Sequence, residues 1–200
     1  MTTIDNSAFR SNQISEVIIP STVESVVTDA FRENQIANLD LSNATNLETI
    51  GARAFRENSP LTNLYIPSSL KTIGEWNFYG SKIAVLDLSN AVSLTTISDF
   101  AFYNNSIGSL DFSNCSMLQS IKQRAFASNK LESLILSDSV ESIGEQAFFG
   151  TYNTFSSLYI PNSVTSMAAA FGSNLKSITV DKAEGEIEGA PWGATNATLI

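Results

Sequence analysis

A chain of 200 residues with 43% hydrophobic side chains can bury a large core, and one solenoid array can use its whole length without a second globular domain. Acidic residues exceed basic ones by nine and the isoelectric point is about 4.4, which argues against phosphate backbones and anionic membrane surfaces as partners. The chain has no histidine, so the commonest general base and metal ligand are missing together, and no apolar run approaches the ~20 residues of a membrane span.

In chain order, the repeating pattern is already running at Ile4 and Phe9. The stretch MTTIDNSAF has neither a basic n-region nor an apolar h-region, so no signal peptide is expected in it; with no capping segment ahead of the repeats, Met1 reads as the start of a fragment. Phenylalanines then recur at Phe9, Phe31, Phe55, Phe78, Phe102, Phe126, Phe148 and Phe171, separated by 22, 24, 23, 24, 24, 22 and 23 residues. Each is followed by a strand motif, from Ile14/Val17/Ile19 through Leu131/Leu134/Leu136 to Leu175/Ile178/Val180, whose last two apolar residues alternate with period two. A period of this size marks a solenoid, in which each unit buries its apolar side only by stacking on its neighbours.

After each strand motif the chain turns in one of two ways. A short corner spans four residues (Ile19 to Val23, Ile66 to Leu70, Leu136 to Val140, Ile160 to Val164), and a long one spans six (Leu41 to Leu47, Leu88 to Leu94, Phe112 to Leu118). The long corners fall in the 24-residue repeats, so length variation is absorbed in a surface turn. Pro20, Pro67 and Pro161 suit the short corner, where no ladder donor is needed. Three residues after the phenylalanine stand Asn12, Asn34, Asn58, Asn105, Asn129 and Asn174, with Ser81 in the fourth repeat. Stacked Asn side chains are expected to bond the backbone of the adjacent coil. The seventh repeat carries an insertion at 150–154, expected to bulge, and the eighth is one residue short before Phe171.

The repeats end at Val180, which divides the chain into a solenoid at 1–180 and a capping segment at 181–200. Trp192 in that segment is expected to cover the last coil rather than to act as a ligand platform. The single cysteine, Cys115, excludes an intrachain disulfide and has no basic neighbour to activate it.

The motif I-G-x-x-A-F-x-x-N-x-L-x-x-L-x-I-P-x-S-V-x-x-I, carried by Ile143-Gly144-Glu145-Gln146-Ala147-Phe148 and Ile160-Pro161-Asn162-Ser163-Val164, resembles the BspA-like leucine-rich repeats of bacterial and protist surface proteins. The ending GAPWGATNAT is similar to the way such domains finish. The resemblance covers about residues 4 to 180. It implies an α/β fold by family, mostly β by content: a right-handed leucine-rich repeat solenoid of about eight repeats with a parallel concave sheet. It also implies a secreted or cell-surface location and a role in adhesion to other proteins, host or cell-surface ones among them.

No catalytic, nucleotide-binding or metal-binding motif is present, so no enzyme activity, cofactor or metal is expected. The expected role is a protein-recognition or adhesion module that is a monomer in isolation, with a structural spacer or a carbohydrate-binding domain as the alternatives. The residue between the last two apolar positions of each strand must point away from the core, giving the row Ile18, Asp40, Tyr65, Asp87, Asp111, Ile135, Tyr159 and Thr179. Within it Asp40, Tyr65, Asp87, Asp111, Ile135 and Tyr159 are the candidate partner-binding residues. Asp40, Asp87 and Asp111 occur only with the long corner, so each can organise its own turn; Asp87 and Asp111 on adjacent rungs can also form a negative patch beside Tyr65.

Overall fold

The distance from the isoleucine column to the phenylalanine column hardly varies: five residues separate Ile4 from Phe9, Ile50 from Phe55 and Ile121 from Phe126. That constancy lets one backbone segment stay in register along the whole stack. In the computed structural model, which describes residues 1–150, 154–180, 187, 192–194, 196 and 198–199, this segment forms a continuous eight-stranded parallel sheet. Its strands are the two-residue pieces Thr3–Ile4, Ser25–Val26, Thr49–Ile50, Thr72–Ile73, Thr96–Ile97, Ser120–Ile121, Ser142–Ile143 and Ser166–Met167. Ile to Ile register carries the ladder from coil to coil, as in Ile50 opposite Ile73 and Ile73 opposite Ile97.

The strand motif read from sequence forms a second series, so each coil holds two strands instead of the one expected. This series pairs in groups: Glu16–Ile18 with Asn38–Asp40, Asn63–Tyr65 with Val85–Asp87, and Ser109–Asp111 with Ser133–Ile135. Ser157–Ile160 pairs with Ser177–Val180, which in turn pairs with Thr198–Leu199. These strands lie between the two connections whose lengths change. At the second-to-third step, Ser59 and Pro60 add a residue and remove a donor, and no ladder joins Asn38–Asp40 to Asn63–Tyr65. The fourth-to-fifth step is broken as well, beside Gly108, whose N–H reaches Ala84 C=O at only 3.4 Å. Among the described residues there is no helix; the segments joining the two series are turns.

Eight phenylalanine rings stack through the core with neighbouring centroids 5.1 to 5.8 Å apart and planes within 12° of parallel. Offset stacking of this kind adds about 0.5 to 1.5 kcal/mol per pair beyond area burial. Phe55, Phe78, Phe102 and Phe126 are fully buried, whereas Phe9, with a neighbour on one side only, is 41% exposed. At the other end Trp192 is buried in the core cluster with Ile187 and Ala194. Its carbonyl accepts the Phe171 N–H at 3.1 Å, the bond that Ala147 C=O makes with Phe126 N–H one turn after another through the stack. Gly193, at φ 89°, then stands where the ring column would continue, with the Phe171 carbonyl in the space a Cβ would need.

The asparagine column closes the coils as expected. Asn129 donates to Phe102 C=O at 3.0 Å and to Phe126 C=O at 2.9 Å, and accepts the Ile107 N–H at 3.0 Å. Asn34, Asn58 and Asn105 repeat the arrangement. One side chain thus satisfies three backbone groups, buried at Asn58, Asn105 and Asn129 and partly so at Asn34 near the open end. Between the third and fourth coils the pattern changes. Ser81 is too short to reach, and its hydroxyl is buried with no partner among the described residues. There Asn77, in the place of the usual alanine, donates back to Gly51 C=O at 2.6 Å. The insertion at 150–154 lies mainly outside the described residues.

Candidate functional site

Period-two alternation sends Leu39, Leu64, Leu86 and Leu110 inward and leaves the flanking positions of each strand in solvent. The candidate row is therefore on the surface: Asp87 and Asp111 are exposed, Ile135 and Tyr159 are about half exposed, and Asp40 and Tyr65 are partly so. Strand pairing sets Ile18 opposite Asp40, Tyr65 opposite Asp87, Asp111 opposite Ile135 and Tyr159 opposite Thr179. Asp87 and Asp111 were expected on adjacent rungs of one sheet. They lie on adjacent coils, but the two strands that carry them are not bonded to each other, because the ladder breaks at that step.

The long corner explains where the aspartates come from. Asp40 Oδ1 accepts the Ser42 N–H at 2.8 Å, and Asp87 and Asp111 do the same with Ser89 and Ser113 at 2.9 Å. Each is an Asx turn that starts a six-residue corner. The Ser hydroxyl first, and its backbone N–H second, hold all three carboxyls below the ordinary aspartate range, with partial burial opposing them. All three are therefore ionised at any pH above about 4. The turn engages Oδ1 of each carboxylate, and no ion pair among the described residues neutralises the charge.

Where the ladder fails between the second and third coils, a groove of about 430 Å³ opens, lined by Asn38, Leu39, Asp40, Leu41, Ser42, Asn63, Leu64, Tyr65, Val85 and Asp87. Three of the candidate residues, Asp40, Tyr65 and Asp87, meet in it; Asp111, Ile135 and Tyr159 lie farther along the row. A second hollow, about 530 Å³, sits where the long corner of the fifth coil meets shorter corners and includes Met117, Asp138, Glu141 and Ser163. It has no aromatic lining.

Sequence reasoning missed a cluster on the turns beside the core phenylalanines. Trp76 and Phe100 stack at 4.0 Å, Tyr79 and Tyr103 at 5.7 Å, and the two pairs meet edge to face. Arg56 caps Trp76 and Tyr79 at one end, and Arg124 caps Phe100 at the other. Trp76 and Phe100 hold φ values of 56° and 57°, a conformation in which bulky residues are uncommon. Aligning the repeats column by column would have revealed the cluster, since its members lie 24 residues apart. Its rings are engaged with one another and with the two guanidinium groups.

Cys115 is buried, and burial, with Asp111 adding to it, pushes its thiol up to about 11. Trp192 is likewise buried.

Comparison with known proteins follows the geometry. The chain matches the BspA type leucine rich repeat region, in six copies, over residues 1–94 and 95–191. It is similar in structure to a leucine-rich repeat protein from Bacteroides ovatus, at TM-score 0.57 and 23% identity, covering 99% of this chain and 58% of that one. It is also similar to the pneumococcal vaccine antigen PcpA, at TM-score 0.50 and 18% identity, covering 92% of this chain and 75% of that one. Both likenesses speak for the fold. No curated protein matches the chain. With the family matched across nearly its whole length and the repeats stacked as a parallel solenoid, the chain belongs to the BspA-type leucine-rich repeat family.

Proposed function

We propose that this chain is the protein-recognition module of a secreted or cell-surface protein, that it docks partners on the outward row of its second strand series, and that it performs no catalysis. One observation carries the reading: the row presents tyrosine and isoleucine side chains beside carboxylates that no cation among the described residues neutralises. Tyrosine is enriched at recognition hot spots, and exposed carboxylates steer a partner of opposite charge. A secreted or surface location is supported by the family to which the repeats belong, and no helix among the described residues is long and apolar enough to cross a membrane. The described parts of 181–200 act, in this reading, as the cover of the last coil.

The test is selection of a displayed library of random dodecapeptides on the immobilised chain. Selected peptides should lose binding to a Tyr65→Ala, Tyr159→Ala double variant and keep it for a Tyr79→Ala, Tyr103→Ala variant on the turns. The reverse pattern would move the working surface to the turns. A glycan array run in parallel covers the carbohydrate alternative, for which strong signal without peptide enrichment would be the evidence.

A further inference from the structure

The second strand series shows a segregation of charge that goes beyond three turn-forming aspartates. No outward position of these strands is Lys or Arg, while Glu16, Asp40, Asp87 and Asp111 all carry negative charge on the first five coils. All five arginines sit instead on the turns beside the phenylalanine column, and there they are engaged. Arg10 and Arg32 meet Glu33, Arg53 meets Asp29, Arg56 meets Glu57, and Arg124 donates to Gln146. The arginines are thus committed within the protein, and among the described residues no ion pair answers the aspartates of the strand face.

The groove between the second and third coils concentrates this. In the paired coils the chain after each aspartate position is tied across: Ile19 N–H donates to Asp40 C=O and Ile66 N–H to Asp87 C=O, both at 3.0 Å. Among the described residues no such bond joins Leu41 to Tyr65. The break leaves a trough with Leu39 and Leu64 in its lining, Tyr65 in the middle, and Asp40 and Asp87 on either side. Those two carboxylates are two coils apart, about 10 Å at the ~4.8 Å spacing of adjacent strands. A polyproline II segment covers nearly the same distance in three residues, at ~3.1 Å each, and with three residues per turn it brings side chains i and i+3 to the same side.

We propose that this groove takes a basic polypeptide segment in the polyproline II conformation lying along the solenoid axis, with Lys or Arg side chains three residues apart on Asp40 and Asp87 and a small apolar residue between them beside Tyr65. The proposal rests on the strand row being the docking surface and adds the chemistry of what docks. The opposing arrangement of charge argues for this occupant over a polyol, which has no use for two separated carboxylates, and over an acidic segment, which they repel. Because each aspartate keeps one oxygen in its Asx turn, its position is fixed before binding and little ordering is needed when the cation arrives.

The experiment is calorimetric titration of the whole chain with acetylated, amidated decapeptides. One carries arginines at i and i+3 in a Ser/Val background, one carries them at i and i+1, and one replaces both by glutamate. The i, i+3 peptide should bind at least about fivefold more tightly than the i, i+1 peptide, and the glutamate peptide should not bind. Its affinity should fall about tenfold between 50 and 300 mM salt, as charge screening requires. An Asp40→Asn, Asp87→Asn variant, in which Asn can keep both Asx turns, should lose about tenfold, whereas Glu132→Gln outside the groove should lose nothing. Equal binding of all three peptides, or an unaffected Asn variant, overturns the proposal. If library-selected peptides still depend on Tyr65 and Tyr159 but ignore salt and the Asn variant, the docking row stands and the basic segment falls. If they ignore the tyrosines too, both fall.

Discussion

The strand face and the phenylalanine turns are built from the same repeats and are equally regular, yet they treat polar and aromatic groups in opposite ways. On the turns, Trp76, Tyr79, Phe100 and Tyr103 pack against one another between Arg56 and Arg124, and the arginines of the earlier coils pair with Asp29, Glu33 and Glu57. On the strand face Tyr65 stands opposite Asp87, and among the described residues the side chains of Asp40, Asp87 and Asp111 bond within their own turns. An aromatic cluster by itself does not mark a binding surface. What matters is whether its partners are already supplied from within, since groups satisfied internally must be freed before they can bind anything else.

The comparison can be broken first at the shared core. Phe126→Ala should cost about 3 to 5 kcal/mol, because a fully buried ring with neighbours on both sides is lost, while Phe9→Ala at the exposed end should cost roughly 1 kcal/mol. Equal shifts in denaturant midpoint for the two variants would contradict the stacked column. Next comes the clamp: Asn129→Ala leaves three buried backbone groups without a partner and should cost about 2 to 4 kcal/mol, whereas Ser81→Ala removes an unpartnered hydroxyl and should stabilise by up to about 1 kcal/mol.

The turns and the strand face separate at the next level. Trp76→Ala should cost about 1 to 2 kcal/mol of stability by dismantling the stack with Phe100 and Arg56, and leave peptide binding unchanged. Tyr65→Ala should do the opposite, with a stability change within about 0.5 kcal/mol and binding weakened about tenfold. The smallest effect is acid sensitivity. The folded carboxyls of Asp40, Asp87 and Asp111 lie below their unfolded values, so their contribution is fully present above about pH 4 and is lost as the pH falls through the folded values. A triple Asp→Asn variant should therefore show a flatter loss of melting temperature below pH 4 than the parent.

Much of this was readable from the residues alone. The phenylalanine and asparagine columns announce themselves by period, and their roles follow from the need to bury rings and to satisfy backbone groups at every turn. The link between Asp40, Asp87, Asp111 and the long corner was also legible, because an aspartate two residues ahead of a serine is an Asx-turn signal. The second strand per coil was not. Thr49–Ile50 and its equivalents are two residues long, too short to show an alternation, and their pairing comes from constant spacing along the stack. The break between the second and third coils was half visible in Ser59 and Pro60, but the break beside Gly108 falls between two repeats with long corners of equal length. Pairing there depends on coil geometry that no single repeat encodes.

The measurement that bears most directly on the working surface is amide hydrogen exchange of the chain with and without the i, i+3 arginine peptide. Binding should slow exchange at Leu39 to Leu41 and Leu64 to Ile66, the strand edges that face each other across the groove, and leave Trp76 to Tyr79 and Phe100 to Tyr103 unchanged. Protection confined to those turns, with the groove edges exchanging as in the free chain, would contradict the account.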